Sequence, residues 1–262
     1  MKKTTMLICA AAFAALPVFA ETIVFSTPKD FRAGQVKQNA DSLQIVKRSW
    51  TIGTKRIKFD ATAKYKVTVD MKAKADDLPK LGKHKVRFGL MPLSDDYKVL
   101  SPVNLFVIDG TDTLLAAPVK KGDTVVKVKD AFKWRTTDST YIVFDCDPTG
   151  KLRDLPNFNV LGNISKVNRA TGEITLTAPA KVTLDTDTAV RQHQNSWSVI
   201  GNEICEVSPE WQTFTFTTVP GESTGIRDNP RYKVWKGTAY LEPVVTTMIP
   251  LEIRNLKVEV IK

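Results

Sequence analysis

Cysteine and histidine are scarce in this sequence: its 262 residues hold 3 cysteines and 2 histidines. His84 and His193 stand far from each other and from Cys146 and Cys205, at spacings that match no zinc site. Glycine-rich phosphate loops, serine-nucleophile elbows and a paired-carboxylate spacing are missing as well. These absences remove the enzyme and metal-protein classes that declare themselves by motif, so no catalytic residue, no metal and no cofactor is expected. Helical periodicity is also lacking. No run beyond residue 20 is long and apolar enough to cross a bilayer as a helix, so no membrane span is expected.

What is present begins with an address. Lys2 and Lys3 precede an apolar stretch from Met6 to Val18, and Val18 and Ala20 supply small residues before Glu21. This is the pattern of a secretory signal peptide, with cleavage expected near Ala20 and a secreted or periplasmic mature chain. In such an oxidising space Cys146 and Cys205 fit either one disulfide or two buried thiols in strands. The chain is long enough to bury a full core without staples. Asn163-Ile164-Ser165 matches a glycosylation acceptor, which matters only in a host that modifies it.

Charge is unevenly spread. The formal net charge is +10. Between Glu21 and Val99 stand 17 Lys or Arg against 9 Asp or Glu, whereas Leu100 to Lys262 holds 19 of each. An anionic partner fits that asymmetry, and so does a lysine-rich solvated face. A nucleic-acid partner has only this charge in its favour, because the basic strands lack interleaved exposed aromatics. None is expected.

The apolar pattern is that of strands. Between Ala61 and Ala75, Tyr65, Val67, Val69, Met71 and Ala73 fall on one face and Lys64, Lys66, Thr68, Asp70 and Lys72 on the other, as in a half-buried antiparallel strand. Val86, Phe88 and Leu90 repeat the pattern, with Lys85 and Arg87 outward. If these two strands pair, Lys64, Lys66, Lys72, Lys74, Lys85 and Arg87 share one basic surface. Val103 to Asp109 reads as a further apolar strand. The closing stretch Leu251 to Ile261 alternates, breaks phase at Arg254-Asn255, then alternates again one residue out of step. That slip predicts a β-bulge, since otherwise its second half would turn inside out.

From about Thr113 the strands become short and closely spaced, with turns at Lys121-Gly122-Asp123 and Thr171-Gly172, a texture that indicates a small barrel or roll. The fold expected is therefore all-β: an antiparallel, jelly-roll-like β-sandwich interrupted by a small β-barrel or roll. The segments are 1–20 for the signal peptide, 21–112 for the first part of the sandwich, 113–194 for the insertion and 195–262 for the second part.

Three passages carry a resemblance. The strand AKYKVTVDMKAKAD, the stretch Pro209-Glu210-Trp211-Gln212-Thr213-Phe214 and the closing LEIRNLKVEVI resemble the galactose-binding-like β-sandwiches of non-catalytic carbohydrate-binding modules. The resemblance covers roughly Glu21 to Asp112 and Asn195 to Lys262 and implies glycan binding. Many relatives place an acidic residue tied to a structural calcium where Arg254 stands. Arginine does not ligate calcium, so the resemblance implies no metal here. The inserted segment is similar to small β-rolls of phage tail and adhesin proteins, through Gly122-Asp123-Thr124 and Thr175-Leu176-Thr177, which implies a spacer or presentation unit.

Sugar recognition by a sandwich needs flat apolar faces for the CH side of the rings and a few fixed polar groups for the hydroxyls. Trp211 opens a core strand and reads as packed. Trp197, Tyr232 and Trp235, beside the re-entry point and a polar loop, are the expected carbohydrate-binding residues. The reading is a secreted, non-catalytic carbohydrate-binding protein whose partner is a polysaccharide or cell-surface glycan, acidic on the charge argument. The alternatives are a structural or adhesive surface protein and, further off, a polysaccharide lyase using His193 with Arg191 as its only local grouping of base and cation.

Overall fold

The computed structural model describes residues 19–46, 49–78, 84–137, 139–195, 200–218 and 236–262. Ahead of residue 113 lie strands β1 (Phe19–Phe25), β2 (Val36–Asn39), β3 (Ser42–Ile45), β4 (Ser49–Ile52), β5 (Ile57–Lys58), β6 (Lys64–Lys72) and β7 (His84–Leu93). Then follow β8 (Thr113–Leu114), β9 (Val125–Lys127), β10 (Thr140–Phe144), β11 (Val160–Asn168), β12 (Glu173–Leu176) and β13 (Ala189–Gln194). The chain ends with β14 (Ile200–Val207), β15 (Gln212–Thr218), β16 (Tyr240–Thr247) and β17 (Leu251–Ile261). Every pairing among these strands is antiparallel, and they form three sheets. The protein is all-β.

Two sheets face each other as a sandwich. The first runs β15-β6-β17-β3-β2, with β1 on the free half of β17; the second runs β14-β7-β16-β4, with β5 on β16. Tyr65, Val67 and Val69 from the first sheet meet Val86, Phe88 and Val245 from the second in one core, all at most 1% exposed. Each such side chain stabilises the fold by roughly 1.5–3 kcal/mol. The Tyr65 hydroxyl lies over the turn before its own strand, accepting from the Asp60 N–H and donating to the Asp60 carbonyl.

β17 is the central strand of the first sheet. Along one edge it pairs with β6; along the other it pairs first with β3, through Leu251 to Ile253, and then with β1, from Leu256 onward. The register slip falls at the handover. Arg254 stands opposite Asp70 and Lys257 opposite Thr68, so Asn255 and Leu256 share the space opposite Val69. Asn255 takes the left-handed conformation, φ +52°, which asparagine tolerates better than most residues. This bulge returns both Ile253 and Leu256 to the core.

The bulge is held from the outside by one carboxylate. Asp70 Oδ2 accepts from Asn255 Nδ2 at 2.7 Å and Arg254 Nε at 3.3 Å, and Oδ1 accepts from Thr213 Oγ1 at 2.7 Å. Burial pulls the Asp70 carboxyl upward in pKa, but these hydrogen bonds and the Arg254 charge outweigh it and hold the group below its ordinary value. The same outer face carries Lys72 against Glu252 at 3.5 Å, and Glu259 between Lys66 at 3.5 Å and Lys257 at 3.3 Å.

That ladder corrects the expected basic surface. β6 and β7 do not pair; they belong to opposite sheets, so Lys64, Lys66 and Lys72 are separated from Lys85 and Arg87 by the whole core. The acidic partners come from β17, a strand that a local reading of the lysine-rich segment does not include. Val103 to Asp109 is also not a strand. Pro102 opens a 3-10 turn (Pro102–Asn104) capped by Ser101 and Asn104. Leu105, Phe106 and Val107 then pack with Leu100 and Leu155 in a small core of their own, apolar on successive residues because it is enclosed on all sides.

The third sheet, β8-β13-β10-β11-β12-β9, curls until its ends meet. Leu115 bridges Val128, the Ala116 N–H donates to the Lys127 carbonyl, and the Lys129 N–H to the Leu114 carbonyl. Its core is separate from the sandwich core and centres on Trp134, Ile142, Ile164, Ile174, Leu176 and Val190. Trp134 is fully buried and donates its indole N–H to the Thr111 carbonyl at 3.0 Å. Gly172 turns the β11–β12 hairpin at φ +73°, where a side chain would run into the Val128 carbonyl. Cys146 and Cys205 form no disulfide. Cys205 belongs to the sandwich core, and burial pushes the Cys146 thiol up to about 12.

The bulge makes a quantitative demand. Asn255→Ala removes the bond to Asp70 and places an alanine in the left-handed region, a loss expected at about 2–4 kcal/mol. Asn255→Gly frees the backbone and recovers about 1–2 kcal/mol of that. Urea denaturation of the three proteins separates the two contributions; equal stability of all three would show that the bulge rests on neither.

Candidate functional site

The expected binding residues Trp197, Tyr232 and Trp235 lie outside the described residues. Trp211, expected to be packed, is only half-buried. It lies on the outer face of the first sheet, with the Arg254 guanidinium 4.3 Å and the Lys72 ammonium 4.8 Å from its ring centre.

His193 and Arg191 do come together, but inside the protein. Both are 0% exposed on β13. Arg191 donates Nε to His193 Nε2 at 3.0 Å, Nη1 to Asp112 at 3.2 Å and Nη2 to Asp154 at 2.7 Å. The remaining ring nitrogen, His193 Nδ1, is 2.6 Å from the Val103 carbonyl. An N–H donor at Nε2 requires that nitrogen to accept, so the ring is neutral with its proton on Nδ1. Burial first, and the Arg191 charge second, lower its pKa to about 4. Burial pulls Asp154 upward, yet the Asn157 hydrogen bond and Arg191 more than offset this, leaving the carboxyl below its ordinary value. Both ring nitrogens of His193 are engaged and solvent is shut out, so this pair has no path to a polysaccharide. It joins β13 to the 102–112 connection and the loop after β10, alongside backbone bonds from Ile108 to Gln192 and from Gln194 to Phe106.

An accessible grouping lies on the outer face of the second sheet. β7 and β16 set Leu93 opposite Tyr240 and Met91 opposite Glu242. Met91, Leu93, Ile52 and Val244 form a local apolar floor, with Tyr240 and Val99 packed at its margin. Beyond β7 the chain makes a tight turn in which the Ser94 N–H donates to the Lys98 carbonyl at 2.9 Å and the Lys98 N–H to Ser94 Oγ at 3.0 Å. Tyr97, in the left-handed region at φ +62°, is thereby held at the tip and is 48% exposed.

The Tyr97 ring tilts against Tyr240 at 5.1 Å, and the Arg56 guanidinium lies 3.8 Å from its centre. Arg56 and Arg32 in turn grip Glu242, at 3.4 and 3.0 Å. Glu242 is 3% exposed, a buried carboxylate that needs both cations. The result is an aromatic ledge with a guanidinium stacked over one face of the Tyr97 ring, which leaves the other face for a ligand. Aromatic rings offer a flat apolar face, and arginine offers several donors in a fixed plane. The one sequence signal for this site is an aromatic at the tip of the polar turn Asp95-Asp96-Tyr97-Lys98. Arg56 is 41 positions from Tyr97 and 184 from Tyr240 in sequence, and these residues meet only through sheet pairing.

Comparison with known proteins adds little. No protein family and no curated protein matches this chain. Among solved structures, VP17, a capsid protein of bacteriophage P23-77, aligns over 92% of this chain and 96% of its own at 13% identity and a TM-score of 0.13. At that score the likeness bears on neither fold nor function.

The buried histidine has a pH signature. Folding lowers its pKa from 6.5 to about 4. The unfolded chain therefore binds the extra proton between those values, and stability falls as pH drops through that window. His193 contributes a loss on the order of 3 kcal/mol. Denaturation midpoints measured from pH 7 to pH 4.5 should fall steeply in the native sequence and clearly less in His193→Gln, whose side-chain oxygen still accepts from Arg191. Parallel curves would refute the neutral, buried assignment.

Proposed function

We propose that this chain is an exported, non-catalytic carbohydrate-binding protein that holds a polysaccharide or cell-surface glycan against the Tyr97–Tyr240 ledge. The observation that carries the reading is the half-exposed Tyr97 ring, fixed by its turn and by Tyr240, with Arg56 stacked over one of its faces. Sugar rings stack their CH faces on such aromatics while guanidinium donors bond their hydroxyls. The secretory leader supports an extracytoplasmic place of action, and the galactose-binding-like resemblance of the sandwich strands supports the ligand class. The burial of His193 and Arg191 supports a non-catalytic role for that pair.

Affinity electrophoresis through gels containing neutral or acidic polysaccharides tests the reading. Retention is expected on at least one polysaccharide, and Tyr97→Ala should weaken it by about tenfold or more, as truncation of an aromatic anchor does. Trp197→Ala, Tyr232→Ala and Trp235→Ala run beside it as separate variants. Absence of retention on every gel, or retention indifferent to all four changes, would refute the proposal in favour of a structural or adhesive surface protein.

A further inference from the structure

A polar concavity lies on the barrel. It is an open cleft of about 520 Å³ lined by Thr136, Lys166, Val167, Asn168 and Arg169. The end of β11 forms one wall. A register slip between Ile164 and Lys166 leaves Ser165 as an extra residue, its hydroxyl tied back to the Thr175 carbonyl at 3.1 Å. Bulges of this kind re-aim the next side chain. Beyond it Val167 still packs on the barrel core, while Lys166 is exposed.

The opposite wall, Trp134 to Thr136, is stitched to β11 at two points. The Val167 N–H donates to Thr136 Oγ1 at 2.9 Å, and Arg169 Nε donates to the Trp134 carbonyl at 2.8 Å. Since Trp134 is fully buried, Arg169 is anchored to the rigid core of the barrel and its two terminal nitrogens remain available. Asn168 Oδ1 is occupied by the Ala170 and Thr171 N–H groups, which leaves its amide nitrogen as the free end.

The lining is therefore one-sided. Lys166, Arg169, the Asn168 amide and the Thr136 hydroxyl all offer donors. Among the described residues no carboxylate lies within ion-pair distance of Lys166 or Arg169. Glu173, opposite Asn168 across the hairpin, pairs with neither. This contrasts with the lysines of the first sheet, where Glu252 and Glu259 supply partners. Two cations and two neutral donors around one cleft are the arrangement that receives an oxyanion.

We infer that this cleft binds the carboxylate or sulfate group of an acidic polysaccharide, the main glycan contact being the Tyr97 ledge. The inference rests on the carbohydrate-binding reading and specifies its ligand as acidic. The ledge supplies stacking and hydroxyl donors, its Arg56 already paired with Glu242; the unpaired cations of the cleft supply preference for an anionic chain.

The test compares retention of the full chain on gels of polygalacturonate, chondroitin sulfate, uncharged dextran and unmodified galactan, with single-stranded DNA as a competitor. The double variant Lys166→Gln/Arg169→Gln removes both cations of the cleft, with an unchanged urea midpoint required of it because Arg169 also bonds the Trp134 carbonyl, and Tyr97→Ala removes the exposed ring of the ledge. The native chain should be retained at least tenfold more strongly by one of the two acidic gels than by the neutral ones. The double variant should lose that excess while keeping any neutral retention. Retention by polygalacturonate, which carries carboxylates alone, assigns a carboxylate; retention by chondroitin sulfate, which carries both groups, with none by polygalacturonate assigns a sulfate. Unchanged acidic retention in the double variant, or equal retention on acidic and neutral gels, overturns the cleft and leaves the ledge standing. Displacement by DNA at lower concentration than by either acidic glycan overturns it in favour of nucleic acid. Failure of every gel to retain the native chain overturns both.

Discussion

One carboxylate holds the strand on which the sandwich is built. Asp70 receives Asn255 and Arg254 from β17 and Thr213 from β15, so it ties three adjacent strands of the first sheet at the point where β17 changes neighbours. The bulge must be there because Ile253 and Leu256 both belong to the core and no regular strand points residues three apart to the same side. Without the bulge, one half of β17 would turn its apolar side chains to water, and β1 would lose the register that buries Phe25.

Much of this was legible in the sequence. The period of two from Tyr65 to Met71 and the phase break at Arg254-Asn255 mark β6, β17 and the bulge because each depends on neighbours along the chain. The turn at Thr171-Gly172 is readable for the same reason: a left-handed position that excludes a side chain selects glycine. Partnership between strands is not local, and there the reading departs from the structure. β6 and β7 are close in sequence and each bears lysines, yet the sheet order places them across the core, and the carboxylates that neutralise β6 arrive from the end of the chain. Residues 103–109 misled for a related reason, since enclosure on all sides gives a continuous apolar run with or without a strand.

The candidate sites show the same division. His193 and Arg191, adjacent in the pattern, attract notice as possible chemistry, but the structure spends them on a buried network that fixes β13 to its connection. The ledge has almost no linear signature. Tyr97 sits in a turn, Arg56 ahead of β5 and Tyr240 and Glu242 on β16, and only the pairing of β16 with both β5 and β7 assembles them. Its firmness comes from Glu242: a carboxylate with so little exposure keeps two arginines in place, and one of those lies against the exposed ring. A preset surface of that kind loses little side-chain freedom on binding.

The proposed point of glycan contact is the Tyr97–Tyr240 ledge. Hydrogen–deuterium exchange of the chain with and without a retained polysaccharide reads this directly. Slowed exchange should be concentrated in residues 94–98, with the central amides of β16 and β17 unchanged because they are already shielded within their sheets. Slowed exchange confined to the outer face of the first sheet around Trp211, with residues 94–98 unaffected, would contradict it.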